Sequence, residues 1–279
     1  MAAFAAMKGG GMKIKRNTWP PVKSATFRDV LVLGERELES LAKRLDVSLS
    51  QMGPEQIEAL ALTNHAVDLY RAVRRECAVD AAAPAMVILR SLVELALNLR
   101  WVERDPLLRL RMWRADYLRN QLEDAQDLER LAVQRKGTTV SVFTAQQVAD
   151  LEQEISLARA DARAQGHKVG ATRGPMLPTL ADRIDVNDNA SWEAYRVAYA
   201  SLSGQTHVTP AAIAGYQYVA RVDGAHLRPA APMPALGVRS LAATTFAMAL
   251  EAGSKICGLG FETKAEEIRN TVATWPAVP

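Results

Sequence analysis

Apolar residues recur every three or four positions along most of this chain, which is the spacing of one face of an α-helix. In the first such segment, Val30, Leu31, Leu38 and Leu41 follow this period. Few segments alternate apolar and polar residues as β-strands do. The pattern predicts helices over about residues 24–47, 54–79, 82–104, 106–134, 144–164, 236–256 and 261–274, with another beginning near residue 189. We therefore expect an all-α fold, a multi-helix bundle of about seven to nine helices.

The breaks between these helices indicate how the chain is divided. Asp105-Pro106 ends one helix and caps the next. The two helices on either side of residues 136–139 are rich in charge, so we expect a protruding charged helical hairpin over about residues 106–165. Residues 1–23 contain a glycine triplet and a basic tetrad and are expected to form a flexible N-terminal tail, with a single helical domain over 24–279.

A glycine- and proline-rich loop over residues 166–178 is longer than most connections in compact domains. It carries His167, Lys168 and Arg173. Two interpretations stay open, a lid over a polar cluster and a disordered crossing. The sequence does not decide between them.

Two helical segments carry polar residues at every fourth position, so the members of each set lie along one helix face. The first set is Arg90, Glu94 and Asn98, and the second is Tyr195, Tyr199, Ser203 and His207. The first set lies in the most apolar part of the chain, where a charged pair must have partners. We therefore expect the two stripes to meet as a buried polar cluster between helices.

Composition places the chain among ordinary globular proteins. Apolar residues make up 49% and charged residues 23%, while the net charge is only +3. A balance this close to neutral does not by itself predict nucleic-acid binding. The two cysteines, Cys77 and Cys257, are far apart and fit reduced thiols in a cytoplasmic protein.

One segment has nearly the length and hydropathy of a membrane span. It runs from Ala81 to Leu99, but Arg90 and Glu94 fall near its centre. Central charges cost about 2.5–3.5 kcal/mol each on insertion scales, so we expect a buried core helix and no membrane partner.

The sequence lacks residues that several classes of enzyme require. None of the four histidines has a glutamate three positions before it, as ferritin-like di-metal bundles require, and no phosphate-binding glycine loop or hydrolase elbow is present. The sequence thus predicts no metal site and no cofactor. Arg221 and His226 have the spacing used by helical ribonucleases of toxin and phage-defence systems, but about one such match is expected by chance. Gly224, between them, also disfavours a continuous helix.

The two stripes resemble the signature of a widespread bacterial all-helical family of unknown function. The resemblance rests on Arg90-Ser91-Leu92-Val93-Glu94, on the Asp-Pro break that follows, and on the Tyr-x3-Ser-x3-His segment ending at His207. It covers about residues 55–218, with the hairpin poorly matched. It implies a helical fold and carries over no activity.

Two functional hypotheses follow from these residues. In the first, the cluster binds an anionic ligand, RNA or a nucleotide, in a cytoplasmic bacterial accessory or defence-type protein. His207 would then act as general acid or base, Arg90 would stabilise an oxyanion and Glu94 would orient the arginine. The ligand contacts would come from Tyr199, Ser203, His65 and Asp68, the last two expected on the inner face of their helix.

The alternative is a non-catalytic helical interaction module. In that case Arg90 and Glu94 form a purely structural ion pair that sets helix register, and the chain associates with itself as a homo-oligomer through alanine-rich faces. A pocket that reaches Arg90 and His207 favours the ligand hypothesis. A dry, fully paired cluster favours the module.

Overall fold

The computed structural model of the chain describes residues 26–47, 49–137, 141–170, 174–185, 187–199, 202, 216–221, 224–229 and 234–274. Over these residues the chain is an all-α multi-helix bundle, as its hydrophobic period predicts. The α-helices are α1 (Phe27–Ala42), α2 (Pro54–Ala78), α3 (Ala82–Glu103), α4 (Pro106–Lys136), α5 (Ala145–Ala164), α6 (Leu180–Arg183), α7 (Asn189–Glu193), α8 (Ala235–Cys257) and α9 (Glu262–Thr274). The predicted N-terminal tail, residues 1–23, lies outside the described residues.

The centre of the bundle is formed by α2, α3 and α8, each of which packs on the other two. Alanine, leucine and valine dominate α3 and α8, so both helices bury more than one face. In α8 every residue from Thr245 to Ser254 is buried. The core is therefore built around two apolar helices, and the more polar helices cover them.

The approach of α8 to α2 depends on a glycine. A Cβ atom on Gly253 would lie 2.2 Å from the hydroxyl oxygen of Thr63 and 2.8 Å from its methyl group, both shorter than side-chain contacts allow. The Thr63 hydroxyl is fully buried and donates a hydrogen bond to the carbonyl of Ala59 at 2.7 Å. Only glycine leaves room for this crossing.

An ion pair connects α1 to α8. Arg239 donates two hydrogen bonds to Glu35, at 3.0 and 2.6 Å, and Glu35 is only 2% exposed. Arg74 of α2 lies 3.7 Å from the same carboxylate. Beneath this pair the rings of Tyr70 and Phe246 stack at 4.4 Å. A carboxylate buried in this way is tolerated because two guanidinium groups meet it.

The apolar helix α3 is the one candidate for a membrane span among the described residues. It is long enough to cross a bilayer, and its most apolar stretch has a mean hydropathy of 1.5. However, 61% of that stretch is buried inside the bundle. That burial is typical of the core helix of a soluble protein, as the charges at its centre predict.

The charged segment forms the predicted helical hairpin of α4 and α5. Asp105 caps α4, accepting a hydrogen bond from the Leu108 amide, and Thr144 caps α5. The hairpin has a small apolar cluster of its own around Leu122 and Ile155, separate from the main core.

The loop over 166–178 is held in place where the structure describes it. Arg159 donates hydrogen bonds to the carbonyls of Gly170 and Gly174, and the Met176 amide donates to Asp116 at 2.8 Å. Met176 itself is fully buried. The interpretation as a disordered crossing is therefore wrong for residues 166–170 and 174–178, because these contacts anchor the loop to α4 and α5.

A β-hairpin is the feature that the helical pattern misses. Strands β1 (Tyr216–Arg221) and β2 (Gly224–Pro229) pair antiparallel, with Arg221 opposite Gly224 and Val219 opposite His226. The Asp223-Gly224 dipeptide after a run of β-prone residues is the sequence signal for such a hairpin. Arg221 and His226 thus lie on opposite strands, so the helical ribonuclease arrangement does not occur here.

Candidate functional site

The first polar stripe runs along one face of α3 and passes from the surface into the core. Glu94 has 41% of its side chain exposed and Arg90 has 23%, whereas Asn98 is only 2% exposed. The expectation of a fully buried cluster is wrong for Arg90 and Glu94. Because both side chains are partly exposed, their charges remain partly hydrated, which lowers the cost of desolvation.

The two stripes meet at Arg90 and Tyr199. Arg90 donates a hydrogen bond to the Tyr199 hydroxyl oxygen at 3.0 Å, and its guanidinium lies 4.8 Å from the centre of the same ring. On its own helix, Arg90 forms an i,i+4 ion pair with Glu94 at 3.7 Å. A phenol and a carboxylate therefore fix the direction in which this guanidinium points.

The segment that carries Tyr199 is a π-helix over Ala194–Tyr199, which follows the single turn of α7. Its wider turn stacks Tyr195 on Tyr199, with ring centres 5.7 Å apart and planes inclined by 16°. Trp192 stacks on Tyr195 in turn, at 6.0 Å. π-Helices are rare and occur frequently at functional sites. We call the stacked rings of Trp192, Tyr195 and Tyr199 the aromatic ladder, and its last ring lies against Arg90.

Arg183, which the sequence patterns do not single out, lies beside the same stripe. Its guanidinium donates hydrogen bonds to the side-chain oxygen of Asn98 and to the carbonyl of Pro178, and it lies 5.8 Å from the ring of Trp101 and 5.9 Å from that of Trp113. All four partners are neutral. Within the described part of the chain, Arg183 forms no ion pair with a carboxylate.

The electrostatics of Arg183 follow from these partners. Burial lowers its pKa below the usual value for arginine, and the more distant charges of Asp116 and Glu94 oppose this only in part. An arginine stays protonated at neutral pH despite such a shift. The site therefore holds a positive charge that its own contacts do not neutralise.

A charged network positions the short helix α7 and, through it, the aromatic ladder. Asp188 caps α7 by accepting hydrogen bonds from the Ser191 amide and hydroxyl, and it also accepts from Arg100 at 3.2 Å. Arg100 extends to the almost fully buried Glu251 of α8 at 3.0 Å. Burial raises the pKa of Asp188, but the bonds from Ser191 and the charge of Arg100 outweigh burial and hold that pKa below its usual value. The network ties α3, α7 and α8 together.

Of the four remaining predicted site residues, two lie within the described part of the chain and two lie outside it. His65 and Asp68 are exposed, on the face of α2 opposite Ala66, Val67 and Tyr70, so the prediction that they lie on the inner face is wrong. The burial pattern of α2 decides this, because its apolar positions occupy the side that meets α3 and α8. Ser203 and His207 lie outside the described residues. No group of three or more His, Cys, Asp or Glu side chains that could hold a metal ion is found in the described part of the chain.

The described site holds two arginines that lie against aromatic rings, Arg90 against Tyr199 and Arg183 against Trp101 and Trp113. Arg90 and Arg183 supply directed N–H donors, Tyr199 supplies a hydroxyl, and Glu94 is the carboxylate that pairs with one of the two cations. Such an arrangement suits an anion with several oxygen acceptors, since guanidinium groups bind phosphate and carboxylate in a bidentate manner.

The chain matches a known protein family over the part that carries this site. The sequence model of DUF5677, described as a family of unknown function, matches residues 57–225. This range contains both polar stripes and agrees closely with the resemblance expected over residues 55–218. No curated protein and no solved structure matches the chain significantly.

Proposed function

Because this chain belongs to DUF5677, a family of unknown function, its activity has to be inferred from the site, and we propose that it binds a phosphate-bearing ligand, RNA or a nucleotide, at Arg90, Arg183 and Tyr199. The observation that carries this proposal is the Arg183 guanidinium, which is held by neutral groups and lacks a carboxylate partner within the described residues. A bound phosphate would supply the missing negative charge.

The exposure of the site supports a ligand more than a purely structural ion pair. Arg90 and Glu94 are partly exposed, whereas a pair that only sets helix register is expected to be sealed. Glu94 would hold the Arg90 guanidinium in position, and the Tyr199 ring beneath it would limit its rotation. Preorganised donors of this kind lose little side-chain entropy when a ligand binds.

A reaction at this site would need a group that transfers protons near neutral pH. We assign this role to His207, which follows Tyr199 at i+8 in the second stripe. In RNA cleavage, His207 would act as general acid or base, while Arg90 and Arg183 would stabilise the negative charge that develops on the phosphate oxygens. Ser203, at i+4, would add a ligand contact.

We place the protein in the cytoplasm of a bacterium, as an accessory or defence-type protein. Cys77 and Cys257 are both free and buried, which suits a reducing compartment. The most apolar helix, α3, is mostly covered by other helices.

The first test is ligand binding by the full chain. Arg183→Gln and Arg90→Gln should each weaken the binding of a short single-stranded RNA by about tenfold, which corresponds to about 1.4 kcal/mol. Arg36→Gln, which removes an exposed arginine on α1, is the matched control and should leave affinity unchanged. Equal affinity of all four proteins, or no binding by the wild type, would exclude this site.

Catalysis is tested separately in cells. Wild type and His207→Ala are expressed in a bacterial host, and growth and RNA integrity are followed, with the thermal unfolding of both proteins as a control. RNA damage by the wild type alone, at equal melting temperatures, is expected if His207 is catalytic. Intact RNA in both cultures, with a much lower melting temperature for the mutant, would mean that His207 is structural.

A second candidate function, a helical interaction module that forms a homo-oligomer, is favoured by one observation. Six large apolar side chains on the α4–α5 hairpin are between 46% and 60% exposed, namely Leu107, Tyr117, Leu128, Leu131, Val133 and Leu157. Exposed apolar residues that concentrate on one element are typical of association surfaces. This candidate places self-association on the hairpin. Arg90, Glu94, Tyr199 and Arg183, which we call the Arg90 cluster, would then have a purely structural role.

A further inference from the structure

A cavity of about 600 Å³ lies at the C-terminal end of α3, and described residues from 166–170 and 175–179 form part of its lining. Its lining includes the Trp101 indole and the polar or charged side chains of Arg104, Arg109, His167, Lys168 and Asp182. This volume is within the range of small-molecule and cofactor sites.

The cavity carries more positive than negative charge. Arg104, Arg109 and Lys168 are cationic, while Asp182 is the one carboxylate among the described residues of the lining. Asp182 accepts a hydrogen bond from the Thr179 hydroxyl at 2.6 Å, and Arg104 lies 3.9 Å from Asp185 at the rim. An anion in this cavity would therefore meet a net attractive field.

Arg109 in particular is incompletely satisfied. It donates one hydrogen bond to the Trp101 carbonyl and lies 5.1 Å from the Trp101 ring, but its buried Nε–H has no hydrogen-bond partner within the described residues. Burial lowers its pKa, and the neighbouring positive charge of Arg104 lowers it further. A buried donor without an acceptor is costly, and ligand or ordered water normally satisfies it.

The cavity and the Arg90 cluster have Trp101 as a common neighbour. Arg183, which belongs to the cluster, and Arg109, which belongs to the cavity, both lie against the Trp101 indole, at 5.8 and 5.1 Å. Eleven residues separate Arg90 from Trp101, which is about three helical turns, so both are on the same face of α3 and about 16 Å apart along its axis.

Hydrogen bonds hold the loop residues that line the cavity. The Gly170 amide donates to the Pro175 carbonyl at 3.1 Å, and a Cβ on Gly170 would lie 2.9 Å from the backbone of Gly174. Arg159 and Arg163 both donate to the Gly170 carbonyl. These contacts fix the loop segment that carries His167 and Lys168, so binding would require little rearrangement.

We propose that the cavity and the Arg90 cluster form one continuous track along α3 for single-stranded RNA, with phosphates bound at both ends. This inference rests on the proposed function and specifies its ligand class. A mononucleotide would occupy one end of the track and an oligonucleotide would occupy both.

The test compares ligands of two lengths on the full chain. Wild type, Lys168→Gln, Arg104→Gln and Arg109→Gln are titrated with adenosine monophosphate and with a single-stranded RNA of about eight nucleotides, at several salt concentrations. Lys168 and Arg104 are exposed, so their variants are expected to fold normally, and Lys43→Gln is the matched exposed control. Thermal unfolding identifies any effect of Arg109→Gln on folding.

Each cavity variant should weaken oligonucleotide binding by about threefold to tenfold and reduce the salt slope by about 0.7 for each phosphate that is no longer neutralised, while Lys43→Gln changes neither. The expected result also includes unchanged binding of adenosine monophosphate, which would sit at the Arg183 end. Cavity variants that leave the oligonucleotide affinity unchanged, while Arg183→Gln lowers it, would overturn the track and leave the proposed function intact. Absence of binding of both ligands to the wild type would instead overturn the proposed function.

Discussion

At the scale of single residues, the two arginines of the site differ in what neutralises them. Arg90 has a carboxylate neighbour on its own helix, whereas Arg183 is held by an amide, a backbone carbonyl and two indole rings. Neutral partners orient a guanidinium without cancelling its charge. Arg183 is therefore the residue on which the anion-binding proposal most depends.

Asp188, which caps α7, is expected to make the free energy of unfolding depend on pH. Its pKa is lower in the folded protein than its unfolded value of about 3.9, so its contribution to the free energy of unfolding is present at neutral pH and is lost as the pH falls through the folded pKa. Asp188→Asn should therefore lower the urea midpoint at pH 7, and the difference from wild type should shrink below about pH 4.

The matched control for this prediction is Asp124→Asn, which changes an exposed carboxylate on α4. It should leave the urea midpoint close to that of wild type at both pH values, since surface substitutions usually alter stability by less than about 0.5 kcal/mol. A constant gap between Asp188→Asn and wild type from neutral to acid pH would show that Asp188 does not stabilise the fold through its charge.

At the scale of elements, the packing of α8 between α2 and α3 determines where the site can form. α8 presents Glu251 to Arg100 on one side and Gly253 to Thr63 on another. The first contact leads through Asp188 to α7 and the aromatic ladder. The second brings the backbone of α8 close to α2, and so keeps the core compact behind the polar face of α3.

Gly253→Ala tests this crossing. The added methyl group would overlap Thr63, so the helices must separate, and we expect a loss of about 1–3 kcal/mol in the free energy of unfolding. Thermal and urea unfolding measure it. In the double variant Gly253→Ala/Thr63→Ala, the two closest clashing atoms are absent, so part of the loss should be recovered relative to the sum of the single variants. Full additivity would indicate that the clash is relieved elsewhere.

At the scale of the whole molecule, a compact core carries a long hairpin. α4 has 31 residues, which corresponds to about 46 Å, and it pairs with α5 around a small cluster that is separate from the main core. None of the exposed apolar residues that the structure describes in the hairpin is in the lining of the cavity beside Trp101. Ligand binding and self-association would therefore use different parts of the molecule, and a single variant can remove one without the other.

Leu128→Glu examines the association surface. Leu128 is 58% exposed, so a charge there should not disturb the core but should oppose burial in a dimer interface. We expect the wild type to sediment as a dimer or larger species and Leu128→Glu to sediment as a monomer in analytical ultracentrifugation. Val79→Glu places the same charge at a residue that is 74% exposed on another element and should retain the wild-type state. A monomeric wild type would remove this second candidate function.

Local sequence patterns are enough to predict the class of the fold and most of its helices. Apolar periodicity and capping residues locate α2 to α5 and α8 closely, because a helix and its ends depend on residues within one or two turns. The same local geometry predicts that Arg90, Glu94 and Asn98 share one face. The Asp223-Gly224 dipeptide is an equally local signal and favours a hairpin, although the helical period of the rest of the chain does not predict one.

Which residues meet, and how far they are exposed, depends on the packing of the folded chain. The contact of Arg183 with Asn98 spans 85 residues and that of Arg100 with Glu251 spans 151, and no local spacing encodes either. The exposure of Glu94, the outward position of His65 and the cavity beside Trp101 likewise depend on how helices from distant parts of the chain pack. Side-chain periodicity specifies a face of a helix, whereas burial and partners are set by whatever packs against that face.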